Sequence, residues 1–172
     1  MKKLILCSLI ACGIVSCDNS GSDKIVARND NNGDPVISVK SQDAGMNRAM
    51  DSARKTYNDF FKAFPDISLD SSKSDFSVKL RFAAEEVGAE HMWLNELYLK
   101  DNKLFGVMRG QPVYKISAKT GDTLEIDPHS VSDWMFIEKG RLIGGYTIKV
   151  LYDRMSSEEQ KELEREIGAK IR

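Results

Sequence analysis

All fourteen aromatic side chains of this 172-residue chain fall between Tyr57 and Tyr152. Aromatic rings carry the largest apolar payload of any side chains, so their confinement fixes where a core can form. The expected folded unit is one domain over 46–155, long enough to bury a single core, with a helix at 156–172. The stretch 17–45 has no aromatic and is rich in Asp, Asn, Ser and Gly, with Val36, Ile37 and Val39 its few apolar residues towards the domain. It reads as a flexible tether, whose coil would span ~30 Å. The alternative there is an extended strand over 35–40 added to a sheet edge.

Within the domain the hydrophobic period changes once. Met46, Ala49, Met50, Ala53, Tyr57, Phe60, Phe61 and Phe64 recur at three- and four-residue spacing, one face of an amphipathic helix expected to stop at Pro65. After a Ser/Asp-rich loop over 66–75, Phe76, Val78, Leu80 and Phe82 alternate with polar residues, the pattern of a half-buried strand. Residues 91–99 and 103–108 read as a hairpin around Asp101-Asn102, with Gly106 as a bulge. Strands at 113–117 and 123–126 would flank a turn at 119–122, and strands at 134–138 and 141–151 would flank Lys139-Gly140. Gly144-Gly145 signals a sharp bend or a close backbone approach. Ser156 with Glu159 forms a capping box that opens the last helix, whose apolar stripe is Leu163, Ile167 and Ile171. The expected fold is α+β: an N-terminal amphipathic helix packed on a bent antiparallel sheet of about six strands, then a C-terminal helix.

Ahead of the domain, Met1-Lys2-Lys3 is basic and Leu4 to Ser16 is a mostly apolar run ending in small residues. At 1.5 Å per residue, that run falls short of the ~30 Å hydrocarbon core, so 1–16 reads as an export signal rather than a membrane span. Ile14-Val15-Ser16-Cys17 resembles the lipobox of bacterial lipoproteins, in which the cysteine thiol receives diacylglycerol and the new amino group a palmitate-type acyl chain. Leu9-Ile10-Ala11-Cys12 fits the same pattern but would leave an apolar run of only eight residues, so Cys17 is preferred over Cys12. Asp18 after it resembles the inner-membrane retention signal of enteric lipoproteins. The expected partner is then the membrane through a lipid anchor, and the expected address is the periplasmic side. If Cys17 carries lipid, Cys7 and Cys12 leave with the signal, and no thiol remains for nucleophilic or thiolate-metal chemistry. The whole chain has 25 basic and 26 acidic residues, a balance unlike that of a basic nucleic-acid binder.

The stretch from Glu90-His91-Met92-Trp93 through Gly106, Gly121-Asp122, Ser132-Asp133-Trp134 and Gly144-Gly145-Tyr146-Thr147 resembles the YegJ-like lipoproteins, a bacterial family defined by a domain of unknown function. The resemblance covers the whole mature domain together with signal and tether. It implies an exported, anchored domain and assigns no catalytic, metal or cofactor residues.

Three chemistries remain to be weighed on the residues themselves. Glu90-His91 with Asp127-Pro128-His129 lacks recognised metal-ligand spacing. His129, Ser130, Ser132 and Asp133 lie close in sequence without a nucleophile elbow, and read as a polar loop bonding to backbone at a strand entry. Arg81, Arg109, Arg141 and Lys149 would line a weak anionic site if they shared one sheet face. Trp93, Arg109, Asp133 and Trp134 are the candidate recognition patch, provided the tryptophans are exposed; the alternative is that each indole anchors the core. The expected function is a non-catalytic binding or accessory module with a protein partner in the envelope. An envelope hydrolase built on His91, His129 and Asp133, and a toxin-neutralising or stress-response partner protein, are the rivals.

Overall fold

The computed structural model describes the strand pair β1 (Val26–Asn29) and β2 (Pro35–Ser38) and the continuous chain 43–172. The candidate signal, Cys12, Cys17 and Asp18 lie outside the described residues. Within the stretch expected to be tether, β1 and β2 pair antiparallel with each other, Ala27 opposite Ile37, as a separate two-stranded sheet.

The Met/Phe stripe becomes helix α1 (Ala44–Ile67). Asp43 caps it, its Oδ1 accepting from Met46 N at 2.9 Å. Pro65 does not stop the helix. It sits in the last turn, where its missing N–H removes a single bond, and α1 ends at Ser68, whose N–H donates to Phe64 O. Ala53, Tyr57, Phe60 and Phe64 are buried against one face of a six-stranded antiparallel sheet.

That sheet comprises β3 (Lys73–Ala84), β4 (Gly88–Lys100), β5 (Lys103–Met108), β6 (Thr123–Glu125), β7 (Val131–Glu138) and β8 (Arg141–Gly144). Their spatial order is β6-β5-β4-β3-β7-β8. Val78 lies opposite both Leu94 and Trp134, so these three share the α1 face; Lys79 lies opposite both Trp93 and Asp133, which share the other. Asp101 and Asn102 both take positive φ, as do Lys139 and Gly140, which gives two tight hairpin turns at the expected positions. The bulge, however, is not at Gly106. The register slips in β4 between Asn95 and Tyr98, where Glu96 has φ 52°. Gly106 lies opposite this region, and a Cβ there would fall 2.7 Å from Leu97 Cδ2 and 2.9 Å from Leu94 Cβ.

One expected strand is absent and another is cut short. Residues 113–117 form an irregular loop, because the Val113 and Tyr114 N–H groups donate to the Glu90 carboxylate at 2.8 and 3.0 Å, while β6 occupies the outer edge of β5. The strand expected over 141–151 ends at Gly144. Gly144 and Gly145 take φ 71° and 60°, and the chain turns into helix α2 (Tyr146–Tyr152). Ser156 and Glu159 form both halves of the capping box that opens α3 (Ser157–Ile167). The last helix therefore stops short of 172. Gly168 ends it in the left-handed region, and the tail runs beside β8, with Leu142 N donating to Lys170 O at 2.8 Å. Ile171 is buried from that tail rather than from the helix stripe. It joins Met135, Ile137, Leu142, Leu163 and Ile167 in a second core on the face opposite α1.

A Cβ at Gly144 would lie 2.2 Å from Trp134 O, whereas Gly140, at φ 73°, has open space around it. Gly144→Ala is therefore expected to lower unfolding free energy by more than ~3 kcal/mol, and Gly140→Ala by only about 1 kcal/mol, in urea titrations. Equal losses would contradict the close approach.

Candidate functional site

Of the polar residues that the sequence singles out, Asp133 lies inside β7 on the face opposite α1. Asp133 is fully buried. Its Oδ1 accepts from Trp134 N at 2.9 Å and Tyr146 N at 3.0 Å; its Oδ2 accepts from Thr147 N at 2.8 Å and Thr147 Oγ1 at 2.5 Å. Gly145 offers α2 no side-chain cap. The carboxylate from β7 takes that place and binds the helix's first two amides.

Thr147 passes this charge on. Its hydroxyl donates to Asp133 and accepts from Lys79 Nζ at 2.9 Å, and the same ammonium stands 4.6 Å from the Trp93 ring centroid. Lys79, Thr147 and Asp133 thus form a buried cation–hydroxyl–anion chain. Burial pulls the Lys79 amine below its ordinary value, while Asp133 opposes the shift. Two residues along β4, burial pushes His91 down to about 4, with Lys79, Arg81 and Arg54 adding to the effect. Its buried Nδ1 has no hydrogen-bond partner.

The four residues of the expected recognition patch are not brought together on the surface. Trp134 points to the α1 face, stacked on Phe60 at 4.9 Å, and its Nε1 donates to Ala53 O at 3.2 Å and Thr56 Oγ1 at 3.0 Å. It is a core anchor. Asp133 is buried on the opposite face, Trp93 is half-buried under Lys79, and Arg109 is exposed just beyond β5, bridging Glu96 at 2.5 Å. Arg81, Arg109, Arg141 and Lys149 do not share one sheet face either, since Lys149 belongs to α2.

The hydrolase constellation does not assemble around Asp133, whose oxygens are taken by the four bonds described. His129 sits exposed on a 3-10 turn (Pro128–Ser130), its backbone N–H donating to Asp127 Oδ1, and Ser130 Oγ also donates to Asp127. Ser132 Oγ donates to Lys79 O. Glu90 is held by the 113–114 backbone. Among the described residues no three His, Cys, Asp or Glu side chains are placed to hold a metal ion.

Beyond Trp93 the same sheet face changes character. Val107 lies opposite Asn95, and Tyr98 stacks on Phe105 at 5.5 Å with Tyr98 43% exposed. Tyr98, Phe105 and Val107 belong to neither core. Lys79 and Thr147 escaped the sequence reading, because an alternating strand assigns its lysine to solvent; the continuous apolar run 134–137 was the available sign of a strand covered on both faces.

The family described as "Uncharacterized protein conserved in bacteria (DUF2314)" matches residues 43–171. A protein of Neisseria meningitidis serogroup B named for ankyrin repeats is 34% identical over 136 residues, covering 76% of this chain and 54% of its own length. The uncharacterised protein YegJ of Escherichia coli is 26% identical over 130 residues, covering 76% of this chain and 82% of its own. The chain thus spans about half the length of the first relative. No solved structure matches it.

His91 supplies a pH test of this geometry. With its folded value near 4 and an ordinary value of 6.5, the unfolded chain binds more protons between those limits. Its contribution is therefore complete above pH 6.5 and lost as pH falls towards 4, by about 2–3 kcal/mol in all. The wild-type unfolding free energy is expected to fall over that window with a steeper slope than that of His91→Gln; parallel slopes would contradict the buried neutral imidazole.

Proposed function

The chain belongs to the DUF2314 family of uncharacterised bacterial proteins, and on that premise we propose that it is a lipid-anchored binding or accessory protein of the bacterial envelope, without catalysis of its own. The observation that carries the binding half of this reading is the part of the sheet that neither core uses. Trp93, Val107, Phe105 and Tyr98 share the face on which α3 packs at the other end of the sheet, yet the second core reaches only as far as Trp93. Ion pairs rim this aromatic strip, Glu96–Arg109 on one side and Lys103–Glu125 on another. Apolar centres with polar rims are the usual anatomy of protein interfaces. The proposed partner is an envelope protein.

The absence of catalysis is inferred from how the reactive groups are spent. Asp133 caps a helix, Glu90 holds a loop and His91 is kept neutral without a carboxylate partner. A general base needs hydrogen-bond reach to a substrate proton, and these groups are turned to the fold instead. The anchoring half rests on the order of basic, apolar and small residues before Cys17, with Asp18 favouring the inner membrane. Several acyl chains on one cysteine would hold the protein at the bilayer, where a single chain binds only reversibly.

Two measurements test the proposal. Mass spectrometry of the protein from membranes is expected to find an N-terminal peptide starting at acylated Cys17, and Cys17→Ser is expected to leave the membrane fraction; an unmodified peptide starting at Met1 would overturn the anchor. A photo-crosslinker at Tyr98 in living cells is expected to give a discrete adduct that one at Glu158 does not. Identical patterns at the two positions would overturn the binding face.

A further inference from the structure

Helices α1 and α2 leave between them a shallow, open cleft of about 310 Å³. Arg48 and Ser52 line it from α1, Tyr146 and Lys149 from α2. Gly45 lets the first turn of α1 approach the last turn of α2 closely, since a Cβ there would meet Arg154 Nη2 at 3.0 Å and Val150 Cγ1 at 3.8 Å.

Among the described residues, the charges around this cleft do not balance. Asp43 pairs with Arg154, Asp51 with Arg54, and Asp153 with Arg172. Asp133, behind α2, is spent on its four hydrogen bonds. Among the described residues, Arg48 and Lys149 have no acid within ion-pair distance, although Lys149 is half-buried. Burial lowers the Lys149 amine, with Arg172 adding to the shift and Asp133 opposing it. An ammonium half withdrawn from water and without a close counter-ion among the described residues favours whatever anion enters beside it.

The neutral donors lining the cleft are already used. Ser52 Oγ donates to Arg48 O. Thr56 Oγ1 lies 2.9 Å from Ser52 O, to which it donates, so the Tyr146 hydroxyl 3.0 Å away donates to Thr56 rather than into the cleft. The donors left for a ligand are the guanidinium and the ammonium. A guanidinium binds two oxygens of one phosphate in fork geometry and an ammonium neutralises it as a point charge, so the pair suits a phosphate better than a single carboxylate.

We propose that the α1–α2 cleft is a phosphate-ester site, clamped by Arg48 and Lys149. The phosphate is either the headgroup of an anionic phospholipid or part of a soluble ester. The cleft is lined from α1 by Gly45, Arg48, Ala49 and Ser52, in the first turns of that helix. Only the phospholipid source draws on the proposed anchor; the soluble source stands without it.

The test uses the full chain in non-ionic detergent with two probes. Glycerol 3-phosphate is titrated by calorimetry, and vesicles of phosphatidylcholine with phosphatidylglycerol are compared with phosphatidylcholine alone. Wild type is expected to bind at least one probe. The double variant Arg48→Gln, Lys149→Gln should weaken that binding at least tenfold, and the charge-matched Lys62→Gln, Lys161→Gln less than about twofold. Glycerol 3-phosphate binding identifies a soluble-ester site, and binding confined to phosphatidylglycerol vesicles identifies a headgroup site. Equal losses in both double variants would reveal an unspecific field, and binding of neither probe by wild type would remove the site; either overturns the proposal.

Discussion

A single carboxylate decides how the second half of this domain is arranged. Asp133, inside β7, binds the first two amides of α2 and so makes the end of β8 the start of a helix. Without an acceptor there, a left-handed Gly144-Gly145 corner would aim two amides into a buried region with nothing to receive them. With it, α2 is fixed at the sheet edge. From there it contributes Tyr146 to the core under α1 and Ile148 to the core under α3. The two layers are joined through this one helix as much as through the sheet. The same oxygen that receives Thr147 N also receives the hydroxyl that holds Lys79, so the cation on β3 is placed by the anion on β7. A buried charge is strongly destabilising when its partner is removed, which ties the position of α2 to the integrity of this chain.

What the sequence made legible is what local rules determine. The Met46–Phe64 stripe and the Ser156/Glu159 box specify their helices within a few residues of themselves, and Asp101-Asn102 and Lys139-Gly140 specify their turns. The errors fall where an acceptor comes from far along the chain. Thr147 to Leu151 is rich in β-branched residues and reads as strand, but its cap lies fourteen residues upstream in Asp133. Residues 113–117 read as a strand, but Glu90, more than twenty residues upstream, takes the first two of their amides. Asp133-Trp134 stood out as a pair, yet adjacent strand residues face opposite ways. The two side chains therefore serve different cores, and a shared surface patch was geometrically excluded.

These facts separate structural from available chemistry. The reactive-looking groups on β4 and β7 are turned to the fold, and the proposed recognition surfaces lie elsewhere. The aromatic strip lies on β4 and β5, and the cationic cleft lies between α1 and the helix that Asp133 caps. A membrane anchor ahead of Asp43 would present such surfaces near a bilayer, a role for which binding chemistry suffices.

The most direct measurement of the central claim is amide hydrogen exchange at Tyr146 and Thr147 in the full chain. If the Asp133 carboxylate caps α2, both amides exchange as slowly as those of β7 in the wild type and lose that protection in Asp133→Asn, while Ser157–Ile167 changes far less. Rapid exchange of Tyr146 and Thr147 in the wild type, or unchanged protection in Asp133→Asn, would contradict it.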